Sequence, residues 1–255
     1  MKDAFRQAAV VVFLLSTLVV NALANILPFN NLNTGQVSNN YPTLFTPAGY
    51  VFSIWGLIYL ALIIFATFQA LDAQRDNPRL RAAGWWFILS CIANMAWLFC
   101  WHYRLFPLSM LAMLVLLGSL IMAYQALGTG RSEVPFTERL LARLPISLYL
   151  GWISVATIAN AAVMLTSLNW NSSGLAPQIW TVIVITVAAV LGALASLLRN
   201  DWIFGLVLVW AFAGIAVNQV ADPLVSAAAW AGLGFVVITI VMGSLRRLRS
   251  PVKDN

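Results

Sequence analysis

Charge is what this sequence has least of. Lysine and arginine number 14 and aspartate and glutamate 8 in 255 residues, so only 9% of the chain is charged. A soluble domain carries about a quarter. Too few polar groups are present to coat a surface facing water, which points to lipid as the solvent. A single histidine occurs, so no histidine cluster can hold a metal, and no paired carboxylates are placed for acid–base work. There is no glycine-rich phosphate loop. The only cysteines are Cys91 and Cys100. Nine residues of helix would set them about 13 Å apart, too far for a disulfide. These absences argue against an enzyme and leave no cofactor required. The net charge of +6 is not gathered into one patch. The basic residues are scattered between apolar runs, which argues against nucleic acid as a partner and fits membrane-orientation signals.

What the chain has instead is 62% hydrophobic residues and 11 tryptophans. A helix of about 20 apolar residues crosses the hydrocarbon core. Eight such runs can be drawn, at roughly 7–28, 48–71, 80–102, 105–127, 140–167, 177–198, 202–220 and 223–245. With the amino terminus inside, 13 of the 14 basic residues fall on the cytoplasmic side, and only Arg104 falls outside. The expectation is a multi-pass, all-α integral membrane protein with lipid as its main partner. Both termini are expected in the cytoplasm, and the membrane is expected to be a bacterial inner membrane. The first run has a competing reading: Met1 to Arg6 is a short basic start, and Ala22-Leu23-Ala24 resembles a signal-peptidase site. Cleavage there would leave seven spans without changing the orientation of the others. The middles of the runs lack carboxylates and histidines, which argues against ion- or proton-coupled transport.

Between the first two runs, Phe29 to Thr46 is polar, asparagine-rich and uncharged. A connection this long reads either as a binding-site lid or as a flexible outer loop. Asn171-Ser172-Ser173 fits a glycosylation sequon, used only in a secretory compartment. Gly205, Gly214, Gly232 and Gly234 permit close helix contacts within one chain or between two, so a homodimer is compatible with the sequence.

The second run opens on a stretch that organises the rest, Phe45 to Tyr59. Pro47 and Gly49 break the chain, and Phe52, Trp55 and Tyr59 then follow at spacings of three and four, one helix face. Two later runs carry comparable stripes: Trp86, Ser90, Asn94, Trp97 and Trp101, then Tyr149, Trp152, Ala156 and Asn160. These faces predict an aromatic, amide-edged pocket suited to a flat, small apolar ligand. The competing reading is structural. Asn94 and Asn160 would glue helices by hydrogen bonds, and Trp101, Trp170, Trp180 and Trp202, near run ends, would form an interfacial belt.

These residues resemble the TspO/MBR family, the tryptophan-rich sensory and translocator proteins. That family's second helix opens with a Pro-Pro-x-Trp-Val-Phe-Pro-x-x-Trp-x-x-x-Tyr pattern. Here Pro47-Ala48-Gly49-Tyr50-Val51-Phe52 is followed by Trp55 and Tyr59. Ala48 replaces the second proline, Tyr50 the first tryptophan and Ser53 the third proline, and one residue is missing between Phe52 and Trp55. The family's Asn-x-x-Trp is matched by Asn94 and Trp97. Its Tyr-x-x-Trp with a later Asn is matched by Tyr149, Trp152 and Asn160, with Ala156 at the small position near the ligand pocket. The resemblance covers roughly residues 7 to 167 and implies a five-helix bundle over 1–167, with three further spans in 168–255. It implies tetrapyrrole binding (haem or porphyrins) and a sensory or translocating role. Trp55, Tyr59, Asn94, Trp97, Tyr149, Trp152, Ala156 and Asn160 are the expected ligand-binding residues, under the 29–46 loop. The stretch from Asn160 to Leu168 lacks the tyrosine and basic residue of the proposed cholesterol motif, so cholesterol is not carried over. Two other readings stay open: an uncoupled carrier for a small apolar metabolite, and a structural protein with a filled core.

Overall fold

The computed structural model describes residues 2–27, 29–170 and 172–249 and is helical, with no strand among the described residues. The sequon at Asn171 lies outside them. The helices are α1 (Lys2–Ile26), α2 (Thr34–Asn39), α3 (Ile54–Ala70), α4 (Pro78–His102), α5 (Phe106–Ala126), α6 (Phe136–Glu138), α7 (Leu144–Ser167), α8 (Pro177–Arg199), α9 (Trp202–Asn218) and α10 (Pro223–Arg249). α6 runs into α7 through a π turn at Arg139–Arg143, making one apolar helix of 32 residues. Pro145 explains the turn. It has no N–H for the Leu141 carbonyl, so the preceding turn widens and Leu144 N–H donates to Arg139 O instead.

The helix starts follow local chemistry. Pro78 begins α4, and the Asn77 side chain accepts from the N–H groups of Arg79 and Leu80. Pro223 begins α10, where Asp222 Oδ1 accepts from Val225 N at 3.3 Å. Asn200 ends α8 in a left-handed conformation, and Asp201 then caps α9.

Eight helices occupy the eight expected runs. Seven are long and apolar enough to cross a membrane. α9 is the difference: it has 17 residues, a rise of about 25 Å, short of the ~30 Å hydrocarbon core. Polar residues stop it at each end, Asp201 at the start and Asn218-Gln219 at the finish, and these make hydrogen bonds within the protein. Outward faces are mostly apolar. Val12, Leu15 and Val19 on α1, and Leu57, Leu60 and Ile64 on α3, are exposed at helical spacing, as a lipid-facing stripe requires. Cys91 and Cys100 are both free thiols.

The packing order is continuous. α1 lies on α3 and α4, α4 on α5, α5 on α7, and α7 on α3 and α9. α9 and α8 then pack on α10. The seam between α9 and the start of the second span is unusually close. The chain from Gly49 to Ser53 is a 3-10 turn, and only from Ile54 does it become α-helical. That turn is anchored by α9: Ala48 N donates to Gly214 O at 3.0 Å, and Trp210 Nε1 donates to Val51 O at 3.0 Å. Gly214 is required there, because a Cβ on it would collide with the fully buried Val51 side chain. Trp210 and Asn218 repeat the spacing of Trp152 and Asn160, but they serve this seam. Asn218 Nδ2 donates to Thr46 O at 3.0 Å.

Gly214→Ala should therefore destabilise the protein by about 1–3 kcal/mol through overpacking, and adding Val51→Ala should restore much of the loss. Thermal unfolding of the single and double variants in detergent measures both. A fully stable single variant would mean that the two segments do not need this close approach.

Candidate ligand-binding site

α3, α4 and α7 bring the aromatic stripes together under the loop that carries α2. Trp55 stacks on Tyr59 with ring centres 5.4 Å apart, and its edge meets Trp152 at 6.1 Å and Tyr149 at 6.1 Å. Phe52 meets the Trp152 ring edge-on at 5.9 Å. Across the gap Trp97 stacks on Trp101 at 5.8 Å. Between these rings lies a cavity of about 50 Å³. Trp55, Trp97, Trp152, Ala156 and Asn160 are on its wall, with Trp101 beside them. Thr34, Ser38 and Thr46 of the loop close it from above. Drug-sized ligands occupy pockets of roughly 300–1,000 Å³, so the cavity is too small for one as it stands.

Tyr59, Asn94 and Tyr149 are drawn together, but away from that wall. They form a hydrogen-bonded chain with Asn21 of α1. Tyr59 OH donates to Asn21 Oδ1 at 2.9 Å, Asn21 Nδ2 donates to Asn94 Oδ1 at 2.8 Å, and Asn94 Nδ2 donates to Tyr149 OH at 3.0 Å. Asn94 is fully buried and Tyr149 nearly so. In an apolar bundle an unpaired amide costs about 1–3 kcal/mol, so this chain ties four helices into one arrangement. These three residues thus depart from the expected lining role, because their polar atoms are already satisfied by one another. Asn160 combines the two roles. Its Oδ1 accepts from Trp97 Nε1 at 2.9 Å and from Ser109 Oγ at 3.2 Å, yet it still borders the cavity.

Trp152 is the exception among the buried indoles. It is 2% exposed, and its indole Nε1–H has no hydrogen-bond partner. The other buried indoles are paired: Trp97 with Asn160, and Trp101 Nε1 with Thr34 O at 3.1 Å.

The 29–46 loop is structured. Asn33 and Gln36 form a capping box that starts α2. Asn30 Nδ2 donates to His102 O at 3.1 Å, and Phe29 stacks on Phe99 at 5.2 Å. At its far end Gln219 and Asn218 of the α9 end hold Thr43 and Thr46. The loop therefore covers the cavity and is latched on both sides.

One stripe residue lies elsewhere: Trp86 belongs to the α4 stripe by spacing but is 37% exposed and points outward. Trp101, read both as part of that stripe and as part of an interfacial belt, is buried on the cavity wall, as the stripe reading has it. α4 turns its first half's tryptophans to lipid and its second half's inward. Asn21 and Ser109 had no motif to mark them. The α1 spacing of Thr17 and Asn21, polar residues within an apolar run, was the available signal. No group of three or more His, Cys, Asp or Glu that could hold a metal occurs among the described residues.

Compared with known proteins, residues 7–242 match a family model described as TSPO-like protein. The matched run continues past residue 167, where the motif resemblance ended, through α8 and α9 and into α10. No curated protein and no solved structure matches the chain significantly.

The geometry separates stability from lining. Asn94→Ala should cost about 1–3 kcal/mol, since it strands Asn21 and Tyr149. Ala156→Leu, which grows into the void, should cost less. Unfolding midpoints of the two variants check this, and the reverse order would contradict it.

Proposed function

The chain belongs to the TSPO-like family, and on that premise we propose a membrane-embedded, sensory-type binding protein for tetrapyrroles or similarly flat apolar ligands, held between α3, α4 and α7. Family membership supports a membrane binding protein in general. The observation that supports a ligand at this place is Trp152: a buried indole donor with no partner, on the wall of a void faced by three further indoles. Leaving that donor unmet is unfavourable by about 1–3 kcal/mol in a dry interior. A ligand offering an acceptor would relieve it, while Trp55 and Trp97 supply π faces for a flat ring.

A tetrapyrrole needs more room than about 50 Å³, so binding requires the loop that carries α2 to lift. The loop is the part able to do so. It is a short irregular segment held by single hydrogen bonds, such as Trp101 to Thr34 and Asn30 to His102, and by a few apolar anchors such as Val37 and Phe45, whereas the walls are long packed helices. Loop displacement of this kind is a common gate for buried sites. The arginine-rich helix ends, opposite the loop, then face the cytoplasm of a bacterial inner membrane.

A carrier reading has one observation in its favour: an apolar groove of about 580 Å³ between α3, α7 and α9, lined by Leu57, Leu60, Leu148 and Trp210 among others. Flux of the same ligand in liposomes separates carriage from binding.

Titrating the purified protein with haem or a porphyrin should give saturable quenching of tryptophan fluorescence. Ala156→Leu should weaken binding at least tenfold, because it fills the void. Asn94→Ala, if folded, should change it less than about twofold. Trp152→Phe, which keeps a ring but loses the donor, should weaken it about five- to tenfold, the size of one hydrogen bond. Unchanged affinity in both Ala156→Leu and Trp152→Phe would place the ligand elsewhere.

A further inference from the structure

A second cleft, of about 480 Å³, opens at the opposite end of the bundle. The α5–α6 loop, the turn between α8 and α9, and the last turns of α10 enclose it. Close backbone approaches hold these walls. Gly130, at φ +71°, sits so tightly on the Arg199 backbone that a Cβ would overlap it, and Gly243 does the same against Ser196 O. Arg199 Nη1 donates to Thr129 O at 3.2 Å. Arg143 is almost fully buried and ties the loop together, with Nε to Leu127 O at 3.0 Å, Nη1 to Ser132 O at 2.8 Å and Nη2 to Ser132 Oγ at 2.7 Å.

Five arginines line the cleft (Arg131, Arg139, Arg143, Arg199 and Arg246) against two acids. Both acids are compromised as counter-charges. Glu133 is already paired with Arg139 at 3.3 Å. Asp201 is buried as the α9 cap, and that burial raises its carboxyl above the ordinary aspartate range, opposed by a hydrogen bond from Ser147. The buried Thr129 hydroxyl, on the same wall, has no partner. The cleft is thus a concave, net positive site with donors in excess, the chemistry that takes a phosphate.

The rest of the wall decides which phosphate. Phe136 and Leu198 are each 70% exposed, and Trp202 is 47% exposed. They sit at the first turn of α6, the last of α8 and the first of α9, where apolar helices give way to charged turns. A free phosphate would gain nothing from these side chains. A phospholipid would lay its acyl chains along them.

We propose that this cleft binds the phosphate headgroup of an anionic membrane lipid, its guanidinium groups meeting the phosphate and its exposed apolar rim meeting the chains. Lipid headgroups are commonly recognised by basic pockets between helices at this level of a membrane. The site is separate from the aromatic cavity and does not depend on what binds there.

The test uses the full chain in detergent, titrated with phosphatidylglycerol or with phosphatidylcholine of the same acyl chains and followed by native mass spectrometry. Phosphatidylglycerol should bind at least about fivefold more tightly. Arg131→Gln with Arg139→Gln should remove that preference, whereas Arg75→Gln with Arg81→Gln, equal in charge and at the same end but outside the cleft, should leave it. Phe136→Ser should weaken the lipid as a second, independent variant that touches no arginine. Equal binding of the two lipids overturns the proposal, and so does an equal loss in the two arginine pairs. Displacement of the lipid by an equal concentration of glycerol phosphate also overturns it, since the site would then be one for free phosphate. Unfolding midpoints of the variants should match the parent, because neither Arg131 nor Arg139 holds backbone. A drop confined to the Arg131, Arg139 pair would make the cleft structural and overturn it as well.

Discussion

Asn21, Tyr59, Asn94 and Tyr149 come from four different helices and meet in a single chain of hydrogen bonds. Other polar links join the same helices, Gln7 with Gln69, Arg6 with Leu80 O and Trp97 with Asn160, but most of the packing between them is apolar and therefore non-directional. Leu, Ile and Val side chains on neighbouring helices would tolerate a sliding register, because lipid tails satisfy them as well as protein does. Amides and phenols do not tolerate it. Each must find a partner inside the bundle, and only one register supplies all of them. Once that register is set, the aromatic rings one to two turns away are set with it. Trp55 follows from Tyr59, Trp97 from Asn94, and Trp152 from Tyr149, each a helical step along the same face. The cavity is what remains between rings whose positions were decided elsewhere.

The segment before α3 shows the complementary problem. Pro47 cannot donate a hydrogen bond, and the 3-10 turn that follows leaves irregular backbone at the edge of the bundle. Such backbone survives in a membrane protein only where protein satisfies it. α9 does so, with the Gly214 carbonyl and the Trp210 indole. This gives the last three helices a structural reason to exist: α9 is the partner of the broken strand of chain that roofs the aromatic site, and α8 and α10 hold α9 in place. Its short length is consistent with that duty, since both of its ends are occupied by contacts to other parts of the chain.

The two ends of the molecule are chemically unlike. At one, uncharged asparagines, threonines and serines cover the indoles, with His102 fully buried beneath them. At the other, arginines and carboxylates are arranged in pairs, including the buried Glu138 with Arg79 and Asn77. The first end is where we propose the flat apolar ligand and the second where we propose the lipid headgroup. The residues that line the aromatic cavity include none that ionises.

Much of this was legible from residue order. Solvent and the places of the long helices follow from the length of apolar runs, because twenty apolar residues in a row have few other stable fates; the ends do not, as α1 begins at Lys2 and α3 only at Ile54. Which helices carry the aromatic faces follows from spacing, and five of the eight expected site residues do border one cavity. Spacing could not tell a ring that lines a void from one that faces outward: Trp86 and Trp97 lie on the same helix, yet Trp86 is exposed and Trp97 buried. Nor could it show that Asn94 and Tyr149 spend their polar atoms on each other while Trp152 spends none. A hydrogen bond between residues 55 positions apart has no local signature. Pairing of polar atoms is decided by how whole helices rotate and slide against one another, and that information exists only once the bundle is assembled.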